Sequence, residues 1–339
     1  MTDPAGRTSG PGAQPADELA EPRTLARLRR TTLAMEPHPY ASVKDPCPVR
    51  VGKRWHLFGT AAFEGYRYEI LHATAKSPAG PWRLHPPSEL NTASGAPVSG
   101  SAVVAPGVIA DGDTLHMFVQ TEYNVLGGRV EHLVSTDGGA SFTHRATALE
   151  SLPGTGEAGI YDPHPAEIDG ERYLIYSGFS VVGQPDLYLA RSSSGDWHGP
   201  WERLGAILRH DQVPDHNQLG DPAYEWGLEG AQLVQLPDGR VLLNAVCFRS
   251  GAQVGDRQRV FFAIAPQPLG PYHVVGSVLD PDGPGEIGHA TVVIHDGELT
   301  LFFQERAGNG PWRYGLASAT LAESDVPHRD VSNEEKMAS

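Results

Sequence analysis

Three acidic residues stand in similar local sequences, and their chemistry suggests one shared acid-base site. They are Asp45 in VKDPCPVRVG, Asp162 in IYDPHPAEIDG and Glu229 in WGLEGAQLVQLPDG. Each comes just ahead of a β-rich run, so we expect each to stand immediately before a strand. An Asp before a Pro also starts many turns, which leaves a structural role open for any one of them. Three acids at equivalent places favour a common site instead.

Three converging carboxylates are suited to the cleavage of a glycosidic bond. One protonated carboxyl group donates a proton to the leaving oxygen, and a carboxylate activates water or attacks the anomeric carbon. A third carboxylate nearby raises the pKa of the acid by like-charge repulsion and keeps it protonated near neutral pH. The fold must therefore bring three distant segments to one point.

A hairpin of one design recurs five times and supplies the elements that would position these acids. Its members share an apolar strand, a turn containing Gly, and a second strand of apolar and aromatic residues. They are VRVGKRWHLFGT (49–60), VIADGDTLHMFVQT (108–121), AEIDGERYLIYSG (166–178), LVQLPDGRVLLNAV (233–246) and VVIHDGELTLFFQ (292–304). Short strands between such turns, with almost no helical apolar period, predict an all-β chain.

Further strands follow each hairpin and complete a repeat. Gly-Pro-aromatic triplets at 80–82, 199–201, 270–272 and 310–312 mark their turns, and STDGGASF at 135–142 resembles an Asp-box turn. We interpret Trp82, Trp201 and Trp312 in these triplets as packing residues. Because a four-stranded sheet cannot bury both faces alone, the repeats predict a five-bladed β-propeller with four-stranded antiparallel blades. A β-sandwich would not explain the repetition.

The order and spacing of the motifs over residues 41–320 resemble glycoside hydrolase family 43, which is related to families 32, 62, 68, 117 and 130. That family carries an Asp-Pro in its first blade as general base. A second Asp-Pro, before the hairpin of the third blade, tunes the pKa of the acid, and a Glu-Gly in the fourth blade is the general acid. The resemblance implies that Asp45 is the base, Asp162 the modulator and Glu229 the acid of an inverting glycosidase.

Two further motifs extend the resemblance, one of them with departures. The Ala-Pro pair at 105–106 resembles part of the family's Trp-Ala-Pro-Asp motif, but Val104 and Gly107 replace the Trp and the Asp. His289 follows Gly as in the family's Gly-His, whose imidazole lies on the axis beside a bound ion, often calcium, or water. The resemblance implies no cofactor for the chemistry and names His289 as a candidate metal ligand. Calcium would need mostly oxygen ligands in addition.

Four more residues are candidates for contacts with the substrate. Phe63, Glu122 and Arg306 follow inner or second strands where loops would face the funnel mouth, and His164 follows Asp162 by two residues. They would stack on a sugar ring or bind its hydroxyls; ordinary solvated loop residues are the alternative. The segment HDQVPDH (210–216) lies in a long loop before blade four and is interpreted as part of a loop over the site. Its histidine spacing does not match a zinc motif.

Composition limits the partners of the chain. Its 339 residues include 26 Lys and Arg against 41 Asp and Glu, a formal net charge of −15. This balance would repel a nucleic acid or an anionic membrane surface. The family resemblance implies a small-molecule carbohydrate or glycoside as partner, and the oligomeric state stays open. Cys47 and Cys247 lack CxxC spacing and are expected to be reduced and buried.

The chain divides into four segments by composition. Residues 1–16 are rich in Pro, Gly, Ser and Thr and are expected to be a disordered tail, and 17–40 form a lead-in with room for a short helix. The propeller should span 41–323, with a C-terminal tail at 324–339. The sequence shows neither a secretory signal nor an apolar run long enough for a membrane span, so we expect a cytoplasmic protein.

Two other functions fit the same sequence. The departures at Val104 and Gly107 would suit a propeller recruited to a transferase, lyase or tailoring reaction on a small metabolite, because a fold does not fix a function. A non-catalytic sugar-binding propeller is the third hypothesis. A scaffold, however, has no need for converging acids that repel one another.

Overall fold

Five β-sheets surround a central axis in the computed structural model, which describes residues 22–64, 67–94, 103–121, 127–180, 184–213, 227–249 and 254–322. Each sheet is one blade. The innermost strands of neighbouring blades contact each other around the whole ring, and this includes the contact between blade five and blade one. The predicted five-bladed β-propeller is thus confirmed.

The strands follow the chain blade by blade, apart from the first. Strand β1 (Arg29–Thr31) belongs to blade five. Blade one contains β2 (Ser42–Val51), β3 (Arg54–Ala62), β4 (Tyr68–Ala75) and β5 (Arg83–Leu84). Blade two contains β6 (Glu89–Asn91), β7 (Val104–Asp111), β8 (Thr114–Thr121), β9 (Arg129–Ser135) and β10 (Ser141–Glu150). Blade three contains β11 (Gly159–Ile168), β12 (Glu171–Phe179), β13 (Asp186–Ser192) and β14 (Trp201–Leu208). Blade four contains β15 (Leu228–Gln235), β16 (Val241–Phe248), β17 (Gln258–Ala265) and β18 (His273–Gly276), and blade five β19 (Gly285–His295), β20 (Glu298–Ala307) and β21 (Arg313–Thr320).

Apolar side chains between the blades form the core. Every residue of β16 and β17 is buried, because the middle strands of a blade are covered on both faces by the neighbouring blades. Residues from two adjacent blades share each cluster; Phe58 and Phe142, for example, pack edge to face at 5.6 Å between blades one and two. The blades therefore depend on one another for burial.

The lead-in segment closes the ring. Among its described residues, 22–40, Leu25–Arg27 form one 3-10 turn, and β1 then pairs antiparallel with β21 as the outermost strand of blade five. The exposed edge of β21 offers unpaired backbone groups, which the lead-in satisfies. Among the described residues, no helix has the length and apolar character to cross a membrane.

Blade two carries one strand more than the predicted four. Strand β6 pairs parallel with β10, with Glu89 opposite Ser141. The other four blades have four strands each, all antiparallel.

A β-bulge interrupts the inner strand of blades one to four at the same place. In each bulge one residue has a left-handed backbone, with φ of 55° at Asp45, 52° at Ala105, 51° at Asp162 and 58° at Gly230. The acids therefore lie within the inner strands, and the prediction that they stand before them is wrong. Asp45 and Asp162 hold equivalent positions, whereas Glu229 lies one residue earlier. A bulge re-aims the side chains beside it, here toward the axis.

Side chains from the preceding blade hold these bulges in place. The backbone N–H of Asp45 donates to Gln304 Oε1 at 2.7 Å, that of Ala105 to Thr60 Oγ1 at 2.9 Å, and that of Asp162 to Gln120 Oε1 at 2.6 Å. Each acceptor lies on the second strand of the blade before. A backbone group that the bulge removes from the ladder thus gains a partner across the blade boundary.

The four Gly-Pro-aromatic triplets are not equivalent, contrary to the sequence interpretation. Three precede the fourth strand of blades one, three and four, but 310–312 precede β21, the third strand of blade five. A turn between second and third strands lies at the same end of the blade as the acids. Trp312 therefore borders the funnel, whereas Trp82 is fully buried in the core.

Candidate active site

One histidine joins the three predicted carboxylates at the axis. His289, on the inner strand of blade five, places Nδ1 2.8 Å from Asp45 Oδ1. Its Nε2 lies 3.3 Å from Asp162 Oδ2 and 3.4 Å from Glu229 Oε1. The four side chains come from four blades, and each is at most 14% exposed. The structure thus brings together the residues that the sequence predicted to converge.

Asp45 lies in surroundings that favour its charged form. Burial alone raises the pKa of Asp45, but the charges of Lys44 and His289 and hydrogen bonds from His289 and Thr60 outweigh it and hold the pKa well below its usual range. An ionised carboxylate can accept a proton from water. Asp45 is accordingly ionised at neutral pH, which is the protonation state that a base needs.

Asp162 lies in surroundings that favour its neutral form. Burial, together with the negative charges of Glu229 and Asp45, raises the pKa of Asp162 to about 7 against the opposing charge of His289. Its Oδ2 also accepts the backbone N–H of Gly230 at 3.2 Å, which links blade three to blade four beside Glu229. Asp162 can therefore hold a proton near neutral pH next to the predicted acid.

The residues around His289 do not fit the calcium site that the resemblance suggested. One oxygen each from Asp162 and Glu229 and one His289 nitrogen do lie within 4.8 Å of one another. However, both ring nitrogens of His289 face carboxylates, and although burial lowers the pKa of His289, Asp162 and Asp45 raise it well above its usual value. A protonated imidazole has no lone pair for a metal, and calcium prefers six to eight oxygen ligands. The arrangement fits an imidazolium in contact with three carboxyl groups.

Gly230 is required beside this histidine for two reasons. Its φ is +58°, and a Cβ there would lie 2.6 Å from the His289 ring. We predict that Gly230→Ala displaces His289 and lowers kcat by about 100-fold, the typical effect of a misplacement near 1 Å. Gly52→Ala is the matched control, since Gly52 has φ of +56° and nothing within 4 Å.

The control should lose about 1 kcal/mol of stability from backbone strain alone and keep its activity. Turnover and thermal melting of both variants check this expectation. Equal activity losses in the two variants would contradict it.

A cavity of about 190 Å³ opens above the carboxylates and forms the funnel. Its lining combines acids, bases and aromatic rings: Lys44, Asp45, Tyr68, Val104, Ala105, Tyr161, Asp162, Glu229, Phe248, Arg257, Gln258, His289, Gln304, Arg306 and Trp312. Most of the lining residues beyond the inner strands lie where second strands end or third strands begin. The funnel mouth is thus formed by the connections between second and third strands, which lie at the opposite end of each blade from the repeated Asp-Gly turns.

Sequence reasoning missed several of these residues, and a signal for two of them was available. Lys44 and Tyr161 directly precede the left-handed residues of blades one and three, as Glu229 does in blade four. An alignment of the repeats on the bulge, instead of on the acids, places these three side chains at one position of the ring. Phe248 and Arg257 carry no such repeat signal.

The predicted substrate contacts have unequal outcomes. Arg306 lines the funnel, whereas Phe63 packs edge to face on Tyr40 at 5.2 Å, under the guanidinium of Arg67 at 4.0 Å, and lines a separate surface depression. Phe63 is turned away because this apolar contact covers its ring. Glu122 lies outside the described residues, as does 214–216 of the segment interpreted as a loop over the site.

His164 also lies outside the funnel. It lines a cavity of about 30 Å³ on the axis beyond the bulges, with its Nε2 3.7 Å from Cys47 Sγ. Burial lowers the pKa of His164 to about 4 and raises that of Cys47 to about 12. A neutral thiol beside a neutral imidazole is not an activated nucleophile, in agreement with the buried, reduced state expected of Cys47.

Blade two has no room for the polar side chain that the resemblance would place at Gly107. A Cβ at this position would lie 2.4 Å from the Pro163 carbonyl oxygen and 2.8 Å from His164 Cα. The backbone of blade three thus occupies the space of the missing Asp. Val104 lines the funnel and is only 4% exposed.

Comparison with known proteins places the chain by its fold. No protein-family model matches it, and no curated protein is significantly similar in sequence. Among solved structures it is similar to the family 62 α-L-arabinofuranosidase catalytic domain of Coprinopsis cinerea, with 17% identity, a TM-score of 0.62, and coverage of 88% of this chain and 98% of that one.

Two more solved structures extend this similarity. The α-L-arabinofuranosidase of Podospora anserina in complex with cellotriose has 15% identity and a TM-score of 0.60, covering 86% and 97% of the two chains. The family 32 β-fructofuranosidase of Bombyx mori has 16% identity and a TM-score of 0.62, covering 83% of this chain and 61% of that one. At these identities the similarity establishes the propeller fold.

Proposed function

We propose that this protein is a glycoside hydrolase that cleaves a small glycoside or short oligosaccharide with inversion at the anomeric carbon. The convergence of Asp45, Asp162 and Glu229 on His289, at the base of a funnel of about 190 Å³, carries this proposal. Arrangements of this kind supply both an acid and a base to one bond. The similar solved structures are named as enzymes acting on arabinosides and fructosides, which supports a carbohydrate substrate.

The three carboxyl groups have different roles in this reaction. Asp45, held ionised, takes a proton from the water that attacks the anomeric carbon. Glu229 donates its proton to the leaving oxygen. Asp162 lies close to Glu229, keeps a proton near neutral pH, and positions the strand that carries Glu229 through Gly230. His289 contacts all three carboxyl groups, and its charge offsets that of ionised Asp45.

A panel of 4-nitrophenyl glycosides tests this function. We expect hydrolysis of at least one pentoside, hexoside or uronoside, and proton NMR of the first-formed sugar should show the opposite anomeric configuration to the substrate. Retained configuration would contradict Asp45 as a base, because it requires a carboxylate that attacks the sugar directly. No hydrolysis of any glycoside would contradict the proposed function as a whole.

A further inference from the structure

Two arginines on the funnel wall have no part in the proposed hydrolysis. Arg257, at the start of the third strand of blade four, and Arg306, near the end of the second strand of blade five, both line the cavity above the carboxylates. The side chain of each is 15% exposed. Cationic side chains so close to a substrate cavity are expected to shape what it binds.

A buried glutamate fixes this pair from behind. Glu286 has no exposed surface, and its Oε2 accepts hydrogen bonds from Arg306 Nε at 2.8 Å and from a terminal nitrogen at 2.5 Å. Its Oε1 accepts the backbone N–H groups of Arg257 at 3.1 Å and Gly255 at 3.0 Å, and lies 3.9 Å from Arg257 Nε. One carboxylate thus faces two guanidinium groups.

Aromatic rings hold the two guanidinium groups at the cavity wall. Arg306 lies over the Trp312 ring at 4.5 Å, and Arg257 lies over the Phe248 ring at 5.1 Å; both rings line the same cavity. A guanidinium that is stacked and already hydrogen-bonded loses little side-chain freedom when it binds a ligand. The pair is therefore pre-organised for a planar or multidentate anion.

We propose that Arg257 and Arg306 bind an anionic substituent, a carboxylate or a phosphate, on the sugar that this enzyme cleaves. This inference rests on the proposed function and narrows its substrate to acidic glycosides. Lys44 adds a third cation to the same cavity. Because the whole chain carries a formal charge of −15, an acidic sugar needs such a local cationic cluster to bind.

Calorimetric titration of the protein with matched sugars tests the proposal. The pairs are D-glucuronic acid with D-glucose, D-galacturonic acid with D-galactose, and D-ribose 5-phosphate with D-ribose; the first two test a carboxylate and the third a phosphate. At least one acidic member should bind about tenfold or more tightly than its neutral partner, as expected for hydrogen bonds to charged groups. Arg257→Gln or Arg306→Gln should abolish most of this difference.

Two further variants separate recognition from folding. Arg306→Gln leaves the buried Glu286 with less compensation and is expected to destabilise the fold, so the double variant Glu286→Gln with Arg306→Gln removes both partners together. It should also lose the anion preference. Arg191→Gln is the matched control, since Arg191 pairs with Glu202 on the surface of blade three at 3.0 Å and should keep the preference.

The outcomes distinguish this inference from the proposed function. Equal affinities for acidic and neutral sugars, or a preference that survives the arginine variants, would overturn the inference. Hydrolysis of neutral glycosides without any anion preference would do the same and leave the glycosidase function standing. Anion preference that disappears in the arginine variants, in a protein that hydrolyses no glycoside, would support the binding site and overturn the hydrolysis.

Discussion

Replacing Glu229 with glutamine is expected to lower kcat by about 10²- to 10⁴-fold, with the fold intact. Glutamine has the size of glutamate but carries no proton for the leaving oxygen. The loss should be greatest for alkyl glycosides, whose leaving groups need protonation, and smaller for 4-nitrophenyl glycosides, whose leaving group is already a weak base. Steady-state kinetics on both substrate types measure this dependence.

Asp45→Asn is the matched variant for this experiment. A general base acts on the attacking water and not on the leaving group, so its removal should slow both substrate types by a similar factor. Circular dichroism and melting temperatures show whether both variants remain folded. Full activity of Glu229→Gln, or an equal loss on both substrate types, would contradict the assignment of Glu229 as the acid.

The protein is also expected to lose much of its stability between pH 6.5 and pH 5, because four buried histidines resist protonation in the folded state. Two pairs with the same spacing, His56 with His72 and His116 with His132, place ring nitrogens 3.1 and 3.0 Å apart in blades one and two. Burial, with the neighbouring histidine charges, lowers the pKa of His72 and His132 to about 3.

Burial likewise lowers the pKa of the partners, His56 and His116, to about 4, with Arg54 and His85 adding to the effect at His56 and His198 at His116. Below pH 6.5 the unfolded chain therefore binds protons that the folded chain excludes. Stability is retained above pH 6.5 and falls as the pH drops toward 4.

After discounting for solvent screening, the four groups together cost on the order of 4 kcal/mol at pH 5. This is a large part of the 5–15 kcal/mol that is typical of a folded domain. Urea unfolding at a series of pH values measures the effect, and His72→Gln with His132→Gln should give a flatter profile between pH 6.5 and pH 5. Because His289 and Asp162 titrate in both proteins, their contributions cancel in the comparison; parallel profiles would contradict the prediction.

The repeats made the fold and the carboxylate trio predictable, but not the walls of the site. Asp45, Asp162 and Glu229 could be found because they precede a recurring hairpin, and hairpins of one design imply equivalent places in space. The position of Trp312 could not be found in this way, since its triplet repeats a sequence pattern at a different turn of the blade. Local sequence identifies a turn, whereas strand order decides which end of the blade it occupies.

Two predicted substrate contacts, His164 and Phe63, lie outside the funnel, and each has its own structural cause. His164 lies beyond the bulge from Asp162, so the two residues of separation carry its side chain out of the funnel and into the small cavity farther along the axis. The contact of Phe63 with Tyr40 depends on the lead-in segment, whose course could not be predicted from its composition. Arg306 was predicted for the funnel, but Glu286, which holds it there, belongs to no repeat motif.

Because the Asp45 backbone N–H donates a hydrogen bond to Gln304, the site forms completely only when the propeller ring is closed. The two residues are separated by 259 positions and belong to the first and fifth blades, and His289 reaches Asp45 across the same seam. A chain with four folded blades therefore has neither a fixed bulge at Asp45 nor the His289 imidazole beside it. During synthesis and refolding, catalytic competence should appear in one step, when the last blade docks against the first.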